Sequence, residues 1–304
     1  MSTVLILFSP NIETLIALRL VQGFSSAGSV VISRAVVADL YVGREMTRFF
    51  GALMTINGLA PIISPIVGSL MLEFTDWRGM FVLLAIIGVL VMLGCFRFYE
   101  SLEPYKRITT PVFASFGTLF KVLKNRIFML YVLIESFGFA GMFAYIAASP
   151  FIFQAFYGLS SFAFSLCFAA NGAALVIGSN IGGRLVNGLA VKLGVFGVII
   201  SSIYVAFALF TQINVWLLEL GFFVQLLTLG LMLPALSTLA MSAEKECAGS
   251  ASALIGFVVF VFGAIISPLV GIGDIFVSSA IAIFVSSVFT LWCYFAVRKE
   301  ITEE

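Results

Sequence analysis

The sequence predicts an all-α integral membrane protein with about nine full transmembrane helices in two parallel bundles, the first of them incomplete. Three observations carry this. Of 304 residues, 62% are hydrophobic and 10% charged, against about 45–50% and about 25% in soluble domains. The apolar runs are continuous and reach the roughly 20 residues needed to cross about 30 Å of hydrocarbon. A strand-based barrel would instead show alternation. Finally, two words recur at one offset. Ala60–Gly68 reads APIISPIVG and Gly263–Gly271 reads GAIISPLVG, with Pro65 meeting Pro268. Val21-Gln22 meets Val224-Gln225 at the same offset of 203 residues.

Nine spans follow in order: 12–40, 46–73, 77–98, 127–153, 160–184, 193–211, 214–240, 249–272 and 274–297. Ser2–Phe8 precedes them and is too short to cross; with no basic flank, it does not read as a signal peptide. The long polar stretch is Tyr99–Asn125, which carries Glu100, Glu103, Lys106, Arg107, Lys121 and Lys124 and is broken by Pro104 and Pro111. It marks a linker. The expected organisation is an incomplete N-terminal helical half over 1–98, a cytoplasmic linker over 99–125 and a C-terminal six-helix half over 126–304.

Basic residues set the orientation. With the linker cytoplasmic, alternation puts fourteen of the sixteen Lys and Arg at cytoplasmic ends or loops, Arg34, Arg44, Arg48, Arg184 and Lys245 among them. Arg78 falls outside and Arg19 within a span. The C-terminus comes out cytoplasmic, in a multi-pass protein of the inner membrane. Because 203 residues hold six short-looped spans, the repeat implies two parallel six-helix halves. The counterpart of Arg126 would then lie about 78 residues before the first residue given. A first half with one full span ahead of its IISP helix, where the second has four, reads as N-terminally truncated.

Composition also excludes. There is no His, so His-based triads and His-ligated zinc are ruled out. Cys95, Cys167, Cys247 and Cys293 are scattered without paired spacing and read as small apolar residues. A net charge of +1 gives no nucleic-acid signal. No phosphate loop, carboxylate pair or activated nucleophile appears, so no enzyme, cofactor or metal site is expected.

The sequence resembles the major facilitator superfamily, and within it the bicyclomycin-resistance (Bcr/CflA) drug-efflux family. Leu18-Arg19-Leu20-Val21-Gln22-Gly23, followed by Ser33-Arg34-Ala35 and Asp39-Leu40, resembles the R-x-x-Q-G signature of that family's fourth helix. Gly58, Pro61, Pro65 and Gly68 match the Gly/Pro antiporter motif of the fifth helix, with Ser69 in place of the usual final Gly. Asp76-Trp77-Arg78 resembles the start of the sixth. Asn125–Gln154, with Phe143-Ala144-Tyr145-Ile146 and Ala148-Ser149-Pro150-Phe151, resembles the seventh. The first two helices, most of the third and the basic loop motif after the second have no counterpart. Gly182-Gly183-Arg184 is a faint echo of that motif. The resemblance implies a proton-coupled antiporter that exports drugs or small amphipathic compounds.

Individual residues add to this. Arg19 sits about 10 Å into its span, where an Arg normally faces a wet cavity; snorkelling to the outer interface is the alternative. Gln22 lies on the same face, and the resemblance gives Arg19 a part in proton coupling. Glu135, inside 127–153, either exchanges a proton during transport or is a fixed structural carboxyl. Gln225 falls near the midplane, whereas Glu219 reads as interfacial. Phe139, Met142 and Tyr145 suit a site for varied apolar cargo, with lipid contact the ordinary role for any one Phe. Tyr145, Asn57 and Asn171 need polar partners and are expected to face inward. Gly58, Pro61, Pro65 and Gly68 read as packing and gating positions. The expected partners are a small-molecule substrate, protons and lipid. Two other functions stay open: a truncated remnant or mis-assigned start that transports nothing, and an exporter of a metabolite such as an amino acid or nucleoside.

Overall fold

The computed structural model describes residues 2–97 and 114–303, with the backbone alone at 61, 62, 65, 69, 72, 73, 114–116, 302 and 303. Among the described residues every regular element is helical: α1 (Ser2–Ile6), α2 (Ile12–Leu40), α3 (Gly43–Phe74), α4 (Trp77–Cys95), α5 (Ala114–Leu123), α6 (Arg126–Ser149), α7 (Ser161–Gly182), α8 (Asn187–Thr211), α9 (Val215–Ala243), α10 (Ala248–Leu269) and α11 (Ile275–Glu303). Eight of these helices are long and apolar enough to cross a membrane. The 32-residue α3, which includes positions described by backbone alone, covers the remaining expected span. Of the polar stretch Tyr99–Asn125, residues 99–113 lie outside the described residues, and α5 occupies most of the rest.

Boundaries fall where short polar side chains replace the missing first-turn acceptors. Asn11 caps α2 and Asn214 caps α9, each accepting from a backbone N–H at 2.9 Å. Asp76, Asn125, Ser160 and Asp274 do the same for α4, α6, α7 and α11. α8 stops at Gln212, whose φ of 48° is left-handed. The exit of α6 differs from the simple span expected there. Pro150 has no N–H to continue the ladder, and Pro150–Phe156 follows as a π-helix that closes on Tyr157 N–H to Ile152 O at 3.0 Å.

Most of the core lies within α6–α11, joined by Val37 of α2 and Met46, Phe50 and Met54 of α3. α9 packs on α8, α7 and α6, and α11 packs on α6 and α8. Since lipid is as apolar as Leu, close approach of small residues drives such contacts. A side chain at Gly178 or Gly182 would run into the Leu227 or Leu231 carbonyl of α9, and one at Gly230 into Leu175. By contrast, α4 has no buried residue and packs on α1 and α3. α2 and α9 are each 29 residues, and both ends sit at the repeat offset, 12 to 215 and 40 to 243.

The segment α2–α4 meets α6–α11 along two seams, α2 on α10 and α3 on α7 and α9. The α3–α7 seam runs from the start of α3 to its middle. Asn180 of α7 donates to Thr55 at 2.7 Å and Gly58 lies against Val176 of α7, while Thr47 donates to Asn187, the first residue of α8, at 3.1 Å. On the other seam, Ser252 donates to the Val31 carbonyl at 3.0 Å. These contacts gather at the end where α2 and α7 finish and α3 and α10 begin.

Candidate functional site

Between the two segments lies a cavity of about 250 Å³ with walls from α2, α3, α6, α7, α9 and α10. Asn57, Phe139, Met142, Tyr145 and Asn171, expected separately from the sequence, all line it. Apart from Arg34, the remaining wall is apolar and aromatic: Phe143, Phe168, Leu226, Leu233 and Phe260 join them. Tyr145 is buried, with its ring centroid 4.6 Å from Phe222 and 5.9 Å from Phe168. Phe143 approaches Phe260 of α10 at 6.1 Å. Aromatic walls with few polar groups suit an amphipathic molecule.

The polar groups come from different helices. Asn171 of α7 donates from Nδ2 to the Tyr145 hydroxyl at 2.8 Å and to Glu219 Oε2 at 3.1 Å. Glu219, expected at the interface, is thus tied to α7 by a hydrogen bond. α9 carries it half-buried toward α7, on the same seven-residue stripe as the cavity-lining Leu226 and Leu233. Sequence reasoning placed it by depth alone; the stripe was the available signal. Arg34, expected with the basic residues near a cytoplasmic end, also lines the cavity from the last two turns of α2, and its Nη1 is buried without a hydrogen-bond partner.

Glu135 lies beside this cavity rather than in its wall. It is fully buried, both carboxyl oxygens and the Ser237 hydroxyl of α9 lack a hydrogen-bond partner, and Arg34 is the cation near enough to favour its charge. A buried carboxylate without donors is costly; a proton or a guanidinium can supply the absent partner.

The other expected residues fall elsewhere. Arg19 and Gln22 do share a face, with Arg19 Nη1 donating to Gln22 Oε1 at 3.0 Å. That face meets α1 and α4, through Gln22 to Thr3 at 2.9 Å and Arg19 over the Phe81 ring at 5.6 Å, and does not reach the cavity. Gln225 is buried between helices, donating to Ser202 at 3.2 Å, with Gly141 alongside. Gly58 is both cavity wall and seam contact, while Gly68 approaches Met80. Pro61 and Pro65 lie in continuous helix, and their side chains are outside the described residues. Gly183 and Arg184 border a small polar cleft with Arg48 and Asn180. Among the described residues, no group of three or more acidic or Cys side chains is placed to hold a metal.

Comparison with known proteins matches this architecture. A family profile described as Major Facilitator Superfamily matches residues 1–268. The chain is 38% identical over 309 residues to the uncharacterized MFS-type transporter YdgK of Bacillus subtilis (strain 168), covering 99% of this chain and 77% of that one. It is 28% identical to a bicyclomycin resistance protein homolog of Haemophilus influenzae, covering 84% and 65%, and 26% identical to multidrug resistance protein D of Escherichia coli (strain K12), covering 84% and 65%. Among solved structures, the human organic anion transporter MFSD10 (TETRAN) superposes with a TM-score of 0.72 at 17% identity, over 97% of this chain and 74% of that one. FucP in its outward conformation gives 0.69 at 14%, over 97% and 77%.

Proposed function

Because the chain belongs to the Major Facilitator Superfamily, we propose that it serves proton-coupled export of drugs or other small amphipathic compounds across the inner membrane. The observation that carries this is the cavity: five residues singled out for cargo binding, from three different helices, converge on one 250 Å³ space walled by aromatic rings. The bicyclomycin-resistance and multidrug-resistance relatives support the cargo class.

In this reading, rings and Met142 hold an apolar body of variable shape, since Met repacks readily and aromatic faces tolerate many partners. Asn57, Asn171 and Tyr145 orient its polar end. Glu135 carries the proton. Neutral, it sheds the cost of a buried charge; ionised, it draws the Arg34 guanidinium of the other segment toward it. A charge change at Glu135 thus alters its attraction for Arg34 of the other segment, which is how a proton can bias two positions of the halves. The end closed by the Thr47, Thr55 and Gly58 contacts is read as cytoplasmic, as are the linker and the C-terminus.

The test is drug accumulation in a pump-deficient bacterial host expressing the chain. Export of several unrelated amphipathic drugs is expected, with Phe139→Ala and Met142→Ala changing their rank order. Unchanged accumulation of every drug at confirmed membrane expression would reject the reading.

A further inference from the structure

The polar cleft at the closed end of the α3–α7 seam takes no part in the export scheme. It measures about 250 Å³ and is bordered by Arg48, Gly51 and Ala52 of α3 and by Asn180, Gly183 and Arg184 at the end of α7. Its floor is backbone. A Cβ at Gly51 would lie 3.4 Å from the Ser179 carbonyl oxygen, and one at Gly183 would lie 3.4 Å from that of Thr47. Two glycines thus let the segments touch. Each segment also supplies one guanidinium, Arg48 from the second turn of α3 and Arg184 from two residues past the end of α7. Among the described residues, neither side chain makes an ion pair or a hydrogen bond, and Glu45, three residues before Arg48, pairs with neither. Asn180 spends its amide N–H groups on Thr55 and the Val176 carbonyl. The two arginines are therefore the donors left in the cleft. Deeper along the same helices the surface turns apolar. Leu59, seven residues beyond Ala52, and Ile177, three residues before Asn180, are both exposed.

We propose that this cleft binds the phosphate of an anionic membrane lipid, which joins Arg48 of one segment to Arg184 of the other. A guanidinium meets phosphate oxygens with two parallel N–H donors. Two guanidiniums at one cleft repel each other, and an anion between them turns that repulsion into a bridge. The observations favour a lipid over a soluble phosphate. The cleft sits at helix ends, at headgroup depth, and Leu59 and Ile177 offer acyl chains an apolar bed below it. This end is read as cytoplasmic, where the leaflet carries anionic lipid that basic pockets between membrane helices attract. A zwitterionic headgroup brings a cation along with its phosphate and gains less from two arginines. Bound there, the lipid holds the α3–α7 seam shut, whatever the cargo.

The experiment is thermal melting of the purified 304-residue chain in dodecyl maltoside, an uncharged detergent. Dioleoylphosphatidylglycerol, dioleoylphosphatidylcholine or glycerol 3-phosphate is added at matched ionic strength. Phosphatidylglycerol should raise the melting temperature by several degrees and saturate, while the other two should leave it nearly unchanged. Arg48→Gln and Arg184→Gln should each raise the half-saturating concentration of phosphatidylglycerol at least tenfold. Both side chains are exposed, so the lipid-free variants should melt like wild type. Arg48→Lys, with charge kept and the fork lost, should recover part of the affinity. Lys192→Gln, which removes an exposed cation outside the cleft, should respond like wild type. An unchanged half-saturating concentration in Arg48→Gln and Arg184→Gln overturns the site, as does a wild-type melting temperature that phosphatidylglycerol does not move. Stabilisation by glycerol 3-phosphate equal to that by phosphatidylglycerol overturns the lipid as its occupant.

Discussion

Arg34 of α2 lies within electrostatic reach of Glu135 of α6, yet neither Glu135 oxygen nor Arg34 Nη1 has a hydrogen-bond partner. The two charges belong to segments that otherwise meet along the α2–α10 and α3–α7 seams. An unbonded pair of this kind is poised: small movements at the seam change its energy, because nearby protein screens charge weakly. The expectation is energetic coupling. Arg34→Gln and Glu135→Gln should shift the melting temperature non-additively, by an interaction of about 0.5–3 kcal/mol. Additive shifts in the double variant would show that the residues do not sense each other.

The seam between α3 and α7 is open to direct chemical test. With the four native cysteines replaced, Thr55→Cys and Asn180→Cys should form a disulfide on mild oxidation, since the native side chains approach to 2.7 Å. The cross-link should stop export, and a reductant should restore it. Cross-linking without loss of export would mean that this seam stays closed throughout transport.

Gly178 should tolerate no side chain. Any Cβ there meets the Leu227 carbonyl of α9, a backbone atom that cannot swing aside. Gly178→Val should therefore cost about 1–3 kcal/mol, as overpacking does, and lower the melting temperature by several degrees. Gly249→Ala, which has open space around it, is the matched control and should melt like wild type. Equal melting of the two variants would put the α7–α9 crossing in error.

The fourteen-to-one basic asymmetry predicts topology. In a cysteine-free background, Lys124→Cys should be shielded from an impermeant thiol reagent in intact cells, and Ile272→Cys should react. Both positions are exposed on the protein. The reverse pattern would invert the orientation.

Much of this fold is written in local sequence. Span positions follow from hydropathy, and their ends from Asn11, Asp76, Asn125, Ser160, Asn214 and Asp274, residues whose short side chains compete for first-turn N–H groups. The cavity residues were legible because Tyr145, Asn57 and Asn171 carry polar groups that lipid cannot satisfy. What stayed hidden depends on which helices meet. Arg34 lies near the end of α2, and its place in the cavity wall depends on the helices packed around that end. The link of Glu219 to Asn171, 48 residues earlier in the chain, is not visible in its depth along its own helix. Arg19 and Gln22 were paired correctly on one face, but periodicity does not say which neighbour that face meets. The π-helix after Pro150 has no sequence signature beyond the proline itself.

The central claim is that proton movement through Glu135 drives export through this cavity. Transport of ethidium by the purified chain in proteoliposomes, under an imposed pH gradient, tests it most directly. The wild type should move ethidium only when the gradient is present and in the direction opposite to the protons. Glu135→Gln should bind ethidium with unchanged affinity yet lose the gradient-driven component at least tenfold. Gradient-driven transport by Glu135→Gln at the wild-type rate, or wild-type transport indifferent to the gradient, would contradict the account.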